Sequence, residues 1–279
     1  MKTEDQILQL TDAQAENLIR LYERGEARIE KQINRALLSG GDPEYLQALQ
    51  ANVKTARADL LAGSREWCQK SVPYLYREGV AYADDMAFST HLSAGFGTVH
   101  QQAASALAEA TYSRMVDMDG VIGRRVDDVF RAVQLEAAEG AVLGSEAVQQ
   151  SAKVMKEKLA ERGITGFVDR LGRQWSMRTY TEMAVHQATM DSFREGTRLR
   201  LLEHGYDLVV FSSHSKACPS CQRWEGVTVS LTGNTPGYPT LAEVRSGGGH
   251  MLGPNCRHVY TLSPDERARD IKSNGNRRR

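Results

Sequence analysis

Apolar residues recur at steps of three, four and seven along residues 4–38. Leu8, Ala15, Leu18, Tyr22, Ile29, Ile33 and Leu37 carry the pattern, with charged residues between them. A helix turns once every 3.6 residues, so this spacing lays the side chains along one stripe. Such a stripe must be covered, which commits the start of the chain to helix-on-helix packing. Ser39-Gly40-Gly41-Asp42-Pro43 then stops the helix and starts another, with Asp42 as N-cap and Pro43 at the first helical position. The pattern resumes from 44 to about 69 through Tyr45, Leu46, Leu49, Val53, Ala56, Leu60 and Leu61. Pro73 is expected to break it, with a further helix after the break as far as residue 82. Residues 91–97 read as a loop. Residues 98–118, 121–139 and 145–162 read as three more helices, parted at Asp119-Gly120 and at residues 140–144. The long first helix fits two roles, a hairpin packed on its neighbours or an arm for docking on a partner, and apolar spacing serves both.

Composition narrows the class of protein. The chain has 279 residues, enough for one large domain or two ordinary ones. Lys+Arg and Asp+Glu number 35 each, so bulk charge does not point to nucleic acid or an anionic membrane as the main partner. No apolar run approaches the roughly 18–20 residues that a spanning helix needs. The opening MKTEDQILQL has acids and glutamines where a secretory signal would be apolar. These features predict a soluble protein made and kept in the cytoplasm, with no membrane partner.

The texture changes near Gly163. One periodic helix is expected over about 177–204, with Gly205 as its C-cap. Residues 207–211 (DLVVF), 226–233 (GVTVSLTG) and 257–262 (RHVYTL) read as three short strands. The expected fold class is therefore a mainly α N-terminal part, a helical hairpin or bundle, followed by a small α+β domain with a short antiparallel sheet. The expected division is 1–162 helical, 163–264 α+β and 265–279 a basic, flexible tail ending in Arg277-Arg278-Arg279.

Three of the four cysteines fall in the second part. Cys218 and Cys221 form a Cys-x-x-Cys pair, and Cys256 follows with His258 two positions on; His214 and His250 lie nearby. Zinc takes four tetrahedral Cys or His ligands, and a Cys-x-x-Cys turn supplies two from one knuckle. Cys218, Cys221, Cys256 and His258 are the expected metal ligands, with His214 and His250 as alternates and zinc as the cofactor. Free cysteines also behave as small buried hydrophobes. Cys256 and His250 together would suit a Cys–His hydrolase. A thioredoxin-like pair should open a helix, and here Gln-Arg-Trp-Glu-Gly and a strand follow instead. Zinc deaminases need a His-x-Glu that the chain lacks. No catalytic residue is assigned, because neither a P-loop, a dinucleotide glycine motif nor a Ser-His-Asp spacing occurs. Trp175 and Trp224 read as packing residues. Arg178 and His186, eight apart, share one face of the long helix, and Asp169, Arg170 and Arg173 read as a polar turn.

The order "FVDRLGRQWSMRTYTEMAVHQAT", "DLVVFSSHSKACPSCQRWEG", "GPNCRH" resembles the phage minor capsid protein 2 family and the related phage Mu protein F-like head proteins. The resemblance runs from about residue 167 to 260. In the family pattern many members place other polar residues where this chain has its cysteine pair, so a metal would belong to this branch and not to the fold. The resemblance implies a virion structural protein, made in the host cytoplasm, at or near the portal vertex, that assists head morphogenesis and is not an enzyme. The implied partners are the portal protein and/or the major capsid protein, with a weak DNA contact through the C-terminal arginines. The competing expectation is a metal-dependent or RNA-cleaving hydrolase, toxin-like, using His214, His250, His258 and Arg257.

Overall fold

The computed structural model of the chain describes residues 1–39, 42–87, 95–143, 167–168, 174–175, 177–214, 217–246 and 251–269. Three long helices come first: α1 (Glu4–Leu37), α2 (Pro43–Met86) and α3 (Thr98–Leu143). Asp42 caps α2 as its sequence predicts, its Oδ1 accepting the Tyr45 amide at 3.0 Å.

Two expected breaks are absent. α2 runs through Pro73 without interruption. Proline removes one backbone hydrogen bond, but Cys68, Ser71, Val72, Leu75 and Tyr76 on either side of it are buried. Packing on both flanks holds the helix across the defect. α3 likewise continues through Asp119-Gly120. A free aspartate competes with the helix by bonding its own backbone. Here the Arg57 guanidinium claims it, donating to Asp119 Oδ1 at 2.9 Å, to Oδ2 at 2.7 Å and to its carbonyl at 2.9 Å. The expected helix at 145–162, the division at 162/163, the turn around Asp169, Arg170 and Arg173, most of the 91–97 loop and the terminal arginines lie outside the described residues.

By compactness the chain forms two units, each assembled from separated segments. One comprises residues 16–67 and 111–182. Its helices bury Leu18, Tyr22, Ile29 and Ile33 of α1 with Leu46, Leu49, Val53 and Leu60 of α2 and Met115, Ile122, Val126 and Phe130 of α3. The Tyr22 hydroxyl meets Ser64 Oγ at 3.0 Å, and Ser64 donates its own proton to the Leu60 carbonyl. This unit also holds the two-residue antiparallel pair β1 (Phe167–Val168) and β2 (Gln174–Trp175).

The other unit comprises residues 1–15, 68–110 and 183–279. It carries most of helix α4 (Met177–Glu203) and a three-stranded antiparallel sheet of order β4-β3-β5, formed by β3 (Leu208–Phe211), β4 (Thr228–Ser230) and β5 (Tyr260–Leu262). Val209 pairs with Val229 on one side and Leu262 on the other. Val209, Phe211, Val229, Tyr260 and Leu262 are buried with Phe193 and Leu201 of α4 and Ile7, Tyr82 and Met86. The fold is thus mainly helical with a small C-terminal antiparallel sheet. Gly205 ends α4 at φ 79°, with the Tyr206 amide returning to the Leu201 carbonyl and the Gly205 amide to that of Leu202. β4 is shorter than the expected 226–233, and past Ser230 the side chain of Asp207 gathers the chain into a turn. Its carboxylate accepts from Ser230 Oγ, the Thr232 amide and hydroxyl, and Thr235 Oγ1 at 2.5–2.8 Å. β5 is also shorter than the expected 257–262, starting only at Tyr260, so Cys256 and His258 sit on irregular chain. Among the described residues no helix is long and apolar enough to cross a membrane.

Candidate metal centre

Cys218 and Cys221 sit on a single helical turn, α5 (Pro219–Gln222), that follows β3. Pro219 fits the first helical position, where the missing N–H costs nothing. Cys218 is the N-cap residue, and its carbonyl accepts the Cys221 and Gln222 amides at 2.9 and 3.0 Å. The expectation that no helix follows the pair is corrected here, although one turn is far short of a redox-protein helix. The chain then bends back, and Glu225 bridges to Phe211 at the end of β3.

The second half comes from 251–259. This segment turns sharply, with Leu252 and Asn255 at φ 61° and 63°. Asparagine tolerates that region, whereas leucine there is strained. Two anchors hold the turn. The Ser212 amide donates to the Val259 carbonyl at 3.0 Å and Ser212 Oγ accepts the Val259 amide at 3.1 Å, extending the β3–β5 pairing. Arg194 of α4, only 3 % exposed, donates Nε–H to the His258 carbonyl at 2.8 Å and Nη2–H to the Cys256 carbonyl at 2.5 Å.

These two halves converge. The ligand atoms of Cys221, Cys256 and His258 all lie within 4.8 Å of one another. Cys256 Sγ is 3.5 Å from His258 Nδ1. His258 Nε2 is 2.9 Å from Glu225 Oε1, and the same oxygen accepts the His214 amide at 3.0 Å. Cys218 lines the same cleft, about 280 Å³, as do His214, Cys221, Cys256 and His258. Cys218 Sγ is 3.3 Å from Ser220 Oγ. The His214 ring lies against that of His258 with centroids 4.2 Å apart, and its buried Nε2 has no hydrogen-bond partner among the described residues. His250 lies outside the described residues.

The electrostatics lower two of the three sulfurs and raise the third. The Ser220 hydroxyl, helped by the Cys221 and Ser220 amides, draws the Cys218 thiol below its usual value. Burial raises the Cys256 thiol, but the His258 ring, the Arg194 charge and the His258 and Leu252 amides outweigh it and bring it down. Cys221 goes the other way, pushed up by burial and by the sulfurs beside it. Burial disfavours the charged His258 ring, yet Cys256 and Glu225 raise its pKa. His214 is lowered by burial and by His258, and Glu225 is lowered by His258 and the His214 amide.

Three sulfurs and an imidazole are the donor set of a closed zinc site. A second set, His214, Glu225 and His258, also has its ligand atoms within 4.8 Å, but it competes for His258 and breaks the Glu225 contact. Cys256, His258 and Glu225 in a row also have the order of a nucleophile, a base and an orienting acid. Cys256 is 7 % exposed and His258 1 %, and both line the cleft described above. Of the four residues singled out by spacing, Cys221, Cys256 and His258 have ligand atoms within 4.8 Å of one another, and Cys218 lines the same cleft outside that group; spacing missed Glu225 and Arg194. Glu225 carried a signal, an acid on the same loop as the cysteine pair; Arg194, far off on α4, carried none.

The remaining candidates have ordinary partners. Arg257 donates to Asp12 Oδ1 at 2.6 Å, and His186 Nδ1 is 3.4 Å from the same oxygen. Arg178 pairs with Glu23 and Glu182 at 2.9 Å. Trp224 packs against the core, as expected of it, and the side chain of Trp175 lies outside the described residues. The family profile described as phage minor capsid protein 2 matches residues 8–263. No curated protein and no solved structure matches the chain.

Proposed function

The chain belongs to the phage minor capsid protein 2 family, and from that premise we propose that it is a portal-associated virion protein that assists head morphogenesis. The observation that carries this reading is the extent of the family match, residues 8–263, which takes in the long helices and the α+β module together. Helices of 34, 44 and 46 residues offer length for docking, and Tyr45, Tyr74, Val99, Val116 and Leu135 stand exposed along them. The portal protein is the proposed partner, with the major capsid protein second and packaged DNA a weak contact. A virion structural protein does not need a catalytic centre, and two of the groups a hydrolase would use already have partners. His258 is held on both ring nitrogens, and Arg257 is paired with Asp12.

The test is particle composition. Heads and portal complexes purified from the phage or prophage that carries this gene are analysed by mass spectrometry. The protein is expected in both, in a few copies per particle. Its absence from both ends the portal reading. Its presence in heads that lack portals moves the partner to the major capsid protein.

A further inference from the structure

We propose that the chain holds one structural zinc ion through the sulfurs of Cys218, Cys221 and Cys256 and through Nδ1 of His258, with Glu225 fixing the imidazole from behind. The inference does not depend on portal association.

The geometry is already near the requirement. Zn–S and Zn–N bonds of about 2.3 and 2.0 Å at tetrahedral angles put neighbouring ligand atoms about 3.5–3.8 Å apart. Cys256 Sγ and His258 Nδ1 are 3.5 Å apart without any movement. The full set of Cys221, Cys256 and His258 lies within 4.8 Å, so contraction by about 1 Å completes that face. Glu225 decides which nitrogen binds. A carboxylate at 2.9 Å accepts a hydrogen bond from Nε2–H, which leaves the lone pair of neutral imidazole on Nδ1, facing the sulfurs. This is the carboxylate–histidine–zinc relay in which the outer partner fixes tautomer and ring orientation.

Cys218 supplies the fourth donor. It stands one helical turn before Cys221, on the same cleft. The Ser220 and Cys221 amides turn toward its sulfur, as the amides of a knuckle do toward a ligating thiolate. Arg194 completes the frame by gripping the carbonyls of Cys256 and His258, two ligand residues at once. An ion here ties the loop after β3 to the segment before β5, adding a bond to the ring contact and apolar packing that already join them. Binding energy in such a site is folding energy for the module that contains it.

The test uses the full, untagged chain produced with zinc supplied, and zinc is measured by elemental analysis after dialysis. About one zinc per chain is expected, falling to a tenth or less in Cys221→Ser and Cys256→Ser. Glu225→Gln is expected to keep the stoichiometry and bind about 10–100-fold more weakly in a chelator competition. Cys218→Ser against His214→Ala assigns the fourth ligand, since loss in the first and retention in the second is the expected pair and the reverse overturns Cys218. Should a cysteine variant fail to fold, cobalt(II) added to the wild-type chain still decides. Thiolate-to-cobalt charge transfer with strong tetrahedral d–d bands supports the site. A weak octahedral spectrum overturns it. Wild-type chain without zinc, whose Cys256 is alkylated quickly by iodoacetamide, also overturns it and leaves a reactive cysteine in its place.

Discussion

Replacing Gly196 by alanine puts a methyl group into the backbone of a neighbouring helix. In the unit that carries the sheet, α2 and α4 cross at two glycines. A Cβ on Gly196 would lie well under 3.0 Å from the Tyr76 carbonyl oxygen, and one on Gly79 equally close to that of Phe193. Both obstacles are helix backbone and cannot rotate away. Thr197 ties the crossing further, donating its hydroxyl toward the Gly79 carbonyl at 3.1 Å and the Phe193 carbonyl at 2.9 Å. The helices must separate by more than an ångström to reach ordinary contact, which strips dispersion contacts from the buried Tyr76 and Phe193. Overpacking of a closed core costs about 1–3 kcal/mol, and here the upper end applies. Alanine returns about 1 kcal/mol through helix propensity. The expected net loss is about 2 kcal/mol, a fall in melting temperature of about 4–8 °C, read by denaturant titration and thermal melts followed by circular dichroism. The double variant Gly79→Ala, Gly196→Ala should cost less than the two singles together, because one separation relieves both clashes. A Gly196→Ala protein as stable as wild type, or more stable as propensity alone dictates, refutes the close crossing.

Acid should loosen this same unit. Asp84 accepts from Arg200 at 2.5 Å and from His204 at 2.7 Å, and Glu203 accepts from Arg200 at 2.9 Å and from His100 at 2.8 Å. Burial would raise both carboxyls, but these donors hold them below their ordinary values of 3.8 and 4.5. Their stabilisation is therefore complete above those values and is lost as pH falls through the depressed ones; melts from pH 6 to 3 should show a slope below about pH 4 that Asp84→Asn reduces, and an unchanged slope counts against the assignment. In the other unit, Arg57→Met strands the Asp119 carboxylate. The expected cost is about 3 kcal/mol, the low end for a buried pair because Arg57 keeps 21 % side-chain exposure; Arg57→Met with Asp119→Leu should recover most of it, and equal losses in single and double variants would sink the pairing. Pro73→Ala should stabilise by about 1–2 kcal/mol, because it restores a helical N–H against a smaller gain in unfolded-state freedom. A destabilised Pro73→Ala would mean that α2 does not run straight through.

What the sequence made legible was what depends on local spacing. The stripe Leu18, Tyr22, Ile29 and Ile33 is fully buried, Asp42 caps, Gly205 stops α4 in the left-handed region, and three short runs of β-branched residues became one antiparallel sheet. The misses share a cause. Pro73 and Asp119-Gly120 are breakers by local chemistry, and both were overridden by residues distant in the chain or by burial on both flanks. Neither the Arg57 grip on Asp119 nor the buried flanks of Pro73 leaves any trace in the neighbouring sequence. The same division runs through the candidate metal centre. Cys218, Cys221, Cys256 and His258 announce themselves by residue type and spacing, whereas Arg194, which places two of them, is one arginine among several on a helix.

That asymmetry bears on how the site is held. Arg194 grips the carbonyls of Cys256 and His258 from α4, and Gly196, two residues further along, presses α4 against α2. The segment before β5 that carries Cys256 and His258 is therefore placed by a helix whose own position is set by contact between backbones, with no side chain between them to yield. A long flexible side chain at that crossing would let α4 drift, and Arg194 would carry its two carbonyls with it. Zinc sites gain affinity from ligands already in place, so the bare helix crossing and the thiol cluster act as one device. Glycine at 196 keeps α4 where Arg194 can hold the two proposed ligand residues ready, and the proposed ion would in turn resist any separation of α4 from the sheet. The pair of cysteines visible in the sequence is thus only the exposed end of a chain of contacts that begins at Gly79 and Gly196.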